Sequence, residues 1–202
     1  MPQRLLIATG NPGKVREYAE LLGDLDGIEL VGLPGLGITT EPEETGDTYT
    51  ENACLKASYY AARSGLPTLA DDSGLDVDAL GGEPGVRSAR YGGPGLDDPG
   101  RVKLLLHNLR DVPDAGRTAR FVCVIAVAGP GIPPQTVRAT VEGVIAHQPV
   151  GSGGFGYDPV FFVPSLGQTL AQVPAATKHN LSHRGKAARL IRPLLQRLLL
   201  TS

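Results

Sequence analysis

The alternation of strand and helix patterns along this 202-residue chain predicts an α/β protein. A buried first strand at residues 4–9 is followed by a Gly-Asn-Pro-Gly turn and by a helix at 14–22, whose apolar face would bury Val15, Tyr18, Ala19 and Leu22. The run 120–128 is apolar and rich in β-branched residues, which favours a strand in the core of a sheet. Residues 187–199 repeat apolar side chains at helical spacing and predict a long final helix.

Capping and turn signals predict the remaining elements. A capping box, Thr48-x-x-Glu51, begins a helix that runs to about residue 63, and Asp98-Pro99 supplies an N-cap and a first-turn proline for another helix that ends near 108. Alternating apolar and polar residues over 135–144 predict an antiparallel strand with one wet face. Further strands are predicted at 28–31, 66–70 and 159–163, and loops at 34–46, 129–134 and 151–158.

Length and composition predict a single domain, residues 1–202, of one or two closely packed lobes. With 41% hydrophobic residues the chain can bury a substantial core. No stretch approaches the roughly 18 apolar residues of a membrane span, so we expect a cytoplasmic protein with no membrane partner. Cys54 and Cys123 lie far apart within apolar patterns, and we interpret them as buried thiols rather than as a zinc pair or a disulfide.

Charge is distributed unevenly along the chain. The formal net charge is −2, yet residues 159–202 contain no Asp or Glu and carry six basic residues: Lys178, Arg184, Lys186, Arg189, Arg192 and Arg197. Such a segment is typical of a nucleic-acid-binding arm, of the cationic wall of a polyphosphate site, or of a solvated helix face. Charge alone leaves these three interpretations open.

The run Ala70-Asp71-Asp72-Ser73-Gly74 is the strongest functional signal in the sequence. It places two carboxylates at the end of the predicted strand 66–70, and the Ser-Gly dipeptide predicts a turn that would expose them in a cleft. The alternative is an ordinary turn whose aspartates are solvated or cap their own backbone.

A second signal lies between the first strand and the first helix. This segment combines a hydroxyl, small backbone units and a lysine at a helix N-terminus, where free amides favour an anion. It consists of Thr9, Gly10, Asn11, Pro12, Gly13 and Lys14. It does not match the Walker A pattern of phosphate-binding loops. The alternative to a phosphate-binding loop is a simple turn between the strand and the helix. Lys56 would contact the same phosphates or face solvent, and Glu43 and Glu44 are candidates to join Asp72 around Mg²⁺, which carboxylates and substrate phosphates usually hold.

Two further segments carry groups that suit a purine base. The loop Phe155-Gly156-Tyr157-Asp158 supplies aromatic faces and a carboxylate, and Ser182-His183-Arg184 supplies planar donors at the start of the last helix. Donors from His183 and Arg184 would pair with a 6-oxo group but would find no acceptor on the 6-amino group of adenine. The structural alternatives are Phe155 in the core, Asp158 as a turn former and His183 on the surface.

In order and spacing these motifs resemble the inosine triphosphate pyrophosphatase family. The matching segments are Thr-Gly-Asn-Pro-Gly-Lys at 9–14, Glu-Glu-Thr-Gly at 43–46, Glu-Asn-Ala-Cys-Leu-Lys-Ala at 51–57, Ala-Asp-Asp-Ser-Gly-Leu at 70–75, Gly-Gly-Phe-Gly-Tyr-Asp-Pro at 153–159 and Ser-His-Arg-Gly at 182–185. The resemblance implies Mg²⁺-dependent hydrolysis of deaminated purine nucleoside triphosphates (ITP, dITP and XTP) to the monophosphate and pyrophosphate, which cleanses the nucleotide pool. It also implies a mixed twisted sheet with flanking helices, two lobes around a substrate groove, and a homodimer.

The same resemblance implies roles for individual residues. Asp72 would be the catalytic carboxylate and a metal ligand, with Glu43 as a second ligand. The triphosphate would lie on residues 9–14 near Lys56, and Ser73 would contact the substrate. The nucleoside and base would be held by Phe155, Gly156, Tyr157, Asp158, Lys178, His183 and Arg184. The sequence departs from the family at Gln172, where a glutamate is usual, and at Pro174, within what is usually a short helix.

Two other functions compete with this interpretation. A Maf-like pyrophosphatase that acts on other modified nucleotides would share the phosphate-binding residues but should lack the combined Phe-Gly-Tyr-Asp and Ser-His-Arg set. A single-stranded nucleic-acid-binding protein would need aromatic stacking platforms, whereas 5% of the residues are aromatic and tryptophan is absent. We therefore expect a nucleotide substrate and no stable nucleic-acid partner.

Overall fold

The computed structural model describes residues 1–200, and within this range eight strands pair into one sheet. The strands are β1 (Gln3–Ile7), β2 (Ile28–Gly32), β3 (Thr68–Val77), β4 (Pro84–Gly85), β5 (Thr118–Gly129), β6 (Ile132–Ile145), β7 (Phe161–Val163) and β8 (Gln168–Thr169). The α-helices of the described range are α1 (Pro12–Leu22), α2 (Tyr49–Ser64), α3 (Asp98–Asn108), α4 (Ala175–Leu181) and α5 (His183–Leu200).

The sheet is mixed, with strand order β2-β1-β3-β5-β6-β7-β8 and with β4 paired to β3 beside that path. β1 is parallel to β2 and to β3, because α1 and α2 carry the chain back before each new strand begins. β4 on β3, β7 on β6 and β8 on β7 are antiparallel. The predicted α/β fold with a mixed sheet and flanking helices is therefore confirmed.

The chain divides into two compact units. The first comprises residues 1–72, 123–139 and the last helix from Arg184, and the second comprises 73–122 and 140–183. The chain passes from one unit to the other within β3, β5 and β6 and at the start of α5. Across residues 1–200, none of the helices combines the length and apolar character needed to cross a membrane.

Two hydrophobic clusters cover the two faces of the sheet in the first unit. Tyr18 of α1 and Leu195 of α5 join Leu5 in one cluster, and Ala57 of α2 joins Leu6 in the other. Leu5 and Leu6 are neighbours on β1, and side chains alternate between faces along a strand, so helices cover the sheet on both sides. This arrangement explains why β1 is a continuous apolar run.

The second unit has its own hydrophobic core around α3, where Leu105 packs with Phe121 of β5 and Phe161 of β7. Arg117, 2% exposed, lies beside this core without a carboxylate partner in the described hydrogen bonds and ion pairs. Its guanidinium donates instead to three backbone carbonyls, those of Leu109 (2.6 Å), Ile145 (2.7 Å) and Ala146 (3.1 Å). Arg117 thereby connects the end of α3 to the end of β6.

The predicted turn at Ser73-Gly74 is wrong, because β3 continues through both residues to Val77. Leu75 and Val77 are fully buried in the core of the second unit, and the Leu75 amide donates to Ser88 Oγ at 2.8 Å. These long-range contacts keep the chain extended across a dipeptide that favours a turn locally. Asp71 and Asp72 consequently lie within a strand and not at its end.

Several smaller predictions also need correction. The N-cap of α3 is Asp97, one residue before the predicted Asp98, because the Asp97 carboxylate accepts the Gly100 amide. Val15, predicted to be buried, is 41% exposed, and the buried positions of α1 are Gly13, Tyr18 and Leu22. Ala19 and Cys54 were also predicted to be buried, but Ala19 is exposed and Cys54 is half-buried. Pro133 and Pro134 belong to β6 rather than to the predicted loop. In each case the tertiary fold set a position that the local sequence pattern did not specify.

Candidate active site

Asp71 and Asp72 lie on opposite faces of β3, since neighbouring side chains alternate along a strand. Asp71 contacts Lys14 of α1 and Arg184 of α5. Asp72 contacts Lys56 of α2 and also its neighbour on that helix, Asn52. The sequence motif therefore contributes two separate carboxylate centres, both within the first unit.

Asp71 is a buried carboxylate that pairs with two basic residues. Its side chain is 0% exposed, and its Oδ2 lies 2.8 Å from Lys14 Nζ and 3.5 Å from Arg184 Nη2. Arg184 also donates from Nη1 to Glu17 Oε2 at 2.6 Å. Burial opposes ionisation of Asp71, but Lys14, Arg184 and Lys56 outweigh it and hold the pKa of this carboxyl well below its usual range. Asp71 is therefore ionised throughout the physiological pH range.

Asp72 has the opposite electrostatic character. Lys56 Nζ donates to its Oδ1 at 3.1 Å, and Asn52 Nδ2 donates to its Oδ2 at 3.3 Å. Burial raises the pKa of Asp72 above its ordinary value and nearby Glu44 adds to the effect, although Lys56 and Lys14 oppose it. A carboxylate with a raised pKa accepts a proton more readily, so Asp72 suits a general base better than Asp71 does.

Lys56 links Asp72 to the acidic loop, the segment 41–46 that carries Glu41, Glu43 and Glu44. Its Nζ lies 2.5 Å from Glu44 Oε1 as well as 3.1 Å from Asp72 Oδ1. Burial disfavours the charged amine, but Asp72, Asp71 and Glu44 outweigh burial and raise the pKa of Lys56, which therefore stays protonated. Glu43, the neighbour of Glu44 in this loop, has an exposed side chain.

Carboxylates outnumber basic groups in the Asp72 centre, where Lys56 contacts both Asp72 and Glu44. The described ion pairs of the Asp71 centre are balanced, with Lys14 and Arg184 against Asp71 and Glu17. Among residues 1–200, no group of three or more His, Cys, Asp or Glu side chains gathers into a complete metal site. Two carboxylates that share one lysine, as Asp72 and Glu44 do, nevertheless match the usual protein contribution to a Mg²⁺ site, where substrate phosphates and water supply the other ligands.

The loop before α1 makes hydrogen bonds within itself at the start of the helix. Asn11 is the N-cap, and its Oδ1 accepts the amides of Gly13 (2.8 Å) and Lys14 (3.1 Å). The Thr9 hydroxyl in turn accepts the Asn11 amide at 3.2 Å. Two of the amides expected to face an anion are thus already capped, and the cation that this loop contributes is the Lys14 ammonium group beside Asp71.

A second group of predicted residues assembles in the second unit. Asp158 Oδ2 lies 2.6 Å from Lys178 Nζ and accepts the Phe155 amide at 2.8 Å. Lys178 Nζ also lies 5.1 Å from the centre of the half-buried Phe155 ring. The Gly156 amide donates to Asp98 Oδ2 at 2.9 Å. An aromatic face, a buried ammonium group and a buried carboxylate therefore occupy one site.

Tyr157 and His183 contribute less directly to this group. Tyr157 lies in the core of the second unit, where its hydroxyl donates to the Ser88 carbonyl at 2.9 Å and burial raises its pKa. His183 stacks on Phe121 with ring centres 4.7 Å apart. Arg184 belongs to the first unit, where it contacts Asp71 and Glu17.

The two departures from the family pattern have local structural roles. Gln172 forms a capping box with Thr169, whose amide donates to Gln172 Oε1 at 3.0 Å. Pro174 immediately precedes α4 as its N-cap residue and does not interrupt the helix. Lys178 therefore keeps its place on α4, buried and directed at Asp158.

Sequence reasoning missed two residues that shape the first centre. Glu17 pairs with Arg184, and fully buried Asn52 contacts Asp72. Helical spacing carried a signal for both, because Glu17 follows Lys14 by three residues and Asn52 precedes Lys56 by four, which puts each pair on one helix face.

Several basic residues of the C-terminal segment form ion pairs within the protein. Lys178 contacts Asp158, Arg184 contacts Asp71, and Arg192 contacts Asp24. This pairing disfavours a nucleic-acid-binding arm.

Fold and site together define an α/β protein in which buried lysines and carboxylates are grouped as in enzymes that act on phosphates. The chain belongs to the Ham1 family, whose model matches residues 5–194. It is 50% identical over 191 residues to a dITP/XTP pyrophosphatase of Yersinia pestis, a match that covers 94% of this chain and 96% of that protein. The family resemblance of the sequence motifs is therefore confirmed.

Solved structures agree with this assignment. A HAM1 protein from Coxiella burnetii superposes with a TM-score of 0.86 at 40% sequence identity, over 96% of this chain and 98% of that one. A nucleoside-triphosphatase / dITP/XTP pyrophosphatase from Mycobacterium abscessus superposes with a TM-score of 0.76 at 40% identity, over 95% of this chain and 100% of that one.

Proposed function

We propose that this protein hydrolyses deaminated purine nucleoside triphosphates, namely ITP, dITP and XTP, to the nucleoside monophosphate and pyrophosphate. The observation that carries the proposal is Asp72, a buried carboxylate with a raised pKa in contact with protonated Lys56. The names of the relatives, which are dITP/XTP pyrophosphatases, support the same substrate class.

In this reaction Asp72 orients and deprotonates a water molecule that attacks the α-phosphorus. Lys56 and Lys14 carry the positive charge that offsets the phosphate oxygens, and Asp71 holds Lys14 in place through their 2.8 Å contact. A positioned base typically contributes about 10² to 10⁴ in rate. Ser73 follows Asp72 on β3, where it is a candidate substrate contact.

We further propose Mg²⁺ as the cofactor, held by Asp72 and a carboxylate of the Glu43–Glu44 pair. The excess of carboxylates over bases in the Asp72 centre supports a divalent cation, because a polyphosphate adds still more negative charge. When bound, the ion would neutralise phosphate oxygens of the substrate and of the leaving pyrophosphate. Comparing Glu43→Gln with Glu44→Gln in a Mg²⁺ titration identifies the ligand, since the variant that loses it needs more Mg²⁺ for half-maximal rate.

Base recognition belongs to the group around Phe155 in this proposal. The ring offers a stacking face, and Lys178, held by Asp158, offers a donor to a 6-oxo group, with His183 as a second donor. The 6-amino group of adenine presents hydrogens to these donors, and such a mismatch can reject a substrate by about 10⁴. Guanine keeps the 6-oxo group, so its rejection must depend on the 2-amino group.

A substrate panel tests the proposal. With Mg²⁺, ITP, dITP and XTP should release pyrophosphate well ahead of GTP, and ATP should be the poorest substrate. Release of orthophosphate would refute the assigned bond cleavage, and equal rates for ATP and ITP would refute the assigned base recognition. We also propose that the enzyme acts in the cytoplasm as a homodimer, and light scattering on the purified protein would test the dimer.

A further inference from the structure

Asn52 lies where α2 meets both Asp72 and the acidic loop. It is 0% exposed. Its Nδ2 donates to the Gly46 carbonyl at 3.2 Å and to Asp72 Oδ2 at 3.3 Å, and its Oδ1 accepts the Gly46 amide at 2.9 Å. Both amide hydrogens and the amide oxygen are therefore engaged.

These partners define the orientation of the Asn52 amide. Its oxygen faces an N–H group, and its nitrogen faces a carbonyl and a carboxylate. Exchanging the two atoms would set an oxygen against two oxygens and a nitrogen against an N–H group. The N–H and the carbonyl of Gly46 both bond to the Asn52 amide and so fix its orientation. In this orientation the Asn52 nitrogen faces Asp72 as a donor.

Asn52 and Lys56 together hold both oxygens of Asp72. Lys56 donates to Oδ1 and Asn52 to Oδ2, and the two residues are one turn apart on α2. Gly46 must approach closely for this arrangement, because a Cβ there would lie 2.8 Å from Asn52 Oδ1. The loop that carries Glu43 and Glu44 is therefore attached to the same side chain that contacts Asp72.

We propose that Asn52 is a positioning residue for the hydrolysis, which aims the Asp72 carboxylate and ties it to the acidic loop at Gly46. This inference rests on the proposed function, in which Asp72 is the base. The two Gly46 hydrogen bonds alone would fasten the loop to α2, and the third joins Asn52 to the carboxylate that the proposed function assigns as the base.

Two variants at this position test the proposal. Asn52→Ala removes all three hydrogen bonds, and Asn52→Asp keeps the shape and the acceptor for the Gly46 amide but sets a carboxylate oxygen against Asp72. We expect kcat for ITP to fall about tenfold to a hundredfold in both, with KM within about threefold of the wild-type value. The matched control is Ser64→Ala, which removes hydrogen bonds to Tyr60 and Leu66 at the other end of α2 and should leave kcat unchanged.

A double-mutant cycle with Asp72→Asn separates positioning from a general structural role. If Asn52 acts through Asp72, adding Asn52→Ala or Asn52→Asp to Asp72→Asn should lower kcat no further. The melting temperature should also recover in Asn52→Asp/Asp72→Asn relative to Asn52→Asp, because the paired carboxylates become a carboxylate and an amide donor. The recovery in melting temperature needs no substrate and applies even where Asn52→Ala fails to fold.

Additive losses of kcat, or a raised KM with kcat unchanged, would overturn the proposal. Failure of the proposed function has a different signature, namely a wild-type enzyme that releases no pyrophosphate from ITP or an Asp72→Asn variant that keeps its activity. The two failures are therefore distinguishable.

Discussion

Replacing Asp71 by Asn should destabilise the protein markedly. The substitution keeps the side-chain shape but removes the fully buried negative charge that faces Lys14 at 2.8 Å and Arg184 at 3.5 Å. Breaking a buried ion pair from one side costs about 3 to 5 kcal/mol. Arg184 keeps Glu17 as a partner and the Lys14 side chain is 15% exposed, so we expect a loss near the lower end, about 3 kcal/mol.

Thermal unfolding of the metal-free protein measures this loss. For a chain of this size each kcal/mol shifts the melting temperature by roughly 2 to 4 °C, so Asp71→Asn should melt about 6 to 12 °C below the wild type. Asp72→Asn is the matched control. Because folding raises the pKa of Asp72, its charged form gains no net stability from the fold, and Asp72→Asn should lower the melting temperature by less than Asp71→Asn does, while kcat falls at least about a hundredfold.

The pH dependence of the Asp71→Asn effect has a definite sign. Folding lowers the pKa of Asp71, so its contribution to stability is complete above the unfolded-state pKa, about 3.9, and is lost as the pH falls toward the folded-state value. The difference in melting temperature between wild type and variant should stay constant from about pH 5 to about pH 8 and shrink below about pH 4. A difference under about 2 °C at neutral pH, or one that grows on acidification, would refute the reasoning.

Three further substitutions test other parts of the molecule. Lys178→Ala removes the ammonium partner of buried Asp158 and a donor beside Phe155. KM for ITP should therefore rise about tenfold, and the ratio of kcat/KM for ITP to kcat/KM for ATP should decrease. An unchanged ratio would show that Lys178 does not take part in base recognition. Arg117→Met removes a donor from the carbonyls of Leu109, Ile145 and Ala146, although the Leu109 carbonyl still accepts the Val112 amide. The free energy of unfolding in urea should fall by about 1 to 3 kcal/mol with KM unaffected, and an unchanged urea midpoint would contradict this role. Arg197→Ala, on the exposed face of α5, should alter neither ITP kinetics nor the salt dependence of single-stranded DNA binding, whereas a flatter salt slope would favour a nucleic-acid arm.

Local signals in the sequence were sufficient for most helices and strands. Thr48 and Glu51 form the predicted capping box at the start of α2, because both partners lie within one turn of the same helix. The apolar repeat from Ala187 to Leu199 likewise predicted α5, although Leu190 within it is 54% exposed. Patterns of this kind depend on neighbours close in sequence, and so they survive without knowledge of the tertiary fold.

The sequence by itself determined that this chain carries an aspartate pair, two lysines and an aromatic loop suited to a purine nucleoside triphosphate. Only the tertiary structure decided that β3 runs straight through the pair and turns Asp71 and Asp72 to opposite faces of the sheet. It also decided their different ionisation, because Asp71 meets Lys14 and Arg184, whereas Asp72 lies against α2 with Glu44 nearby. Burial and distant charges set a pKa, and both arise from residues brought together by folding rather than by position along the chain.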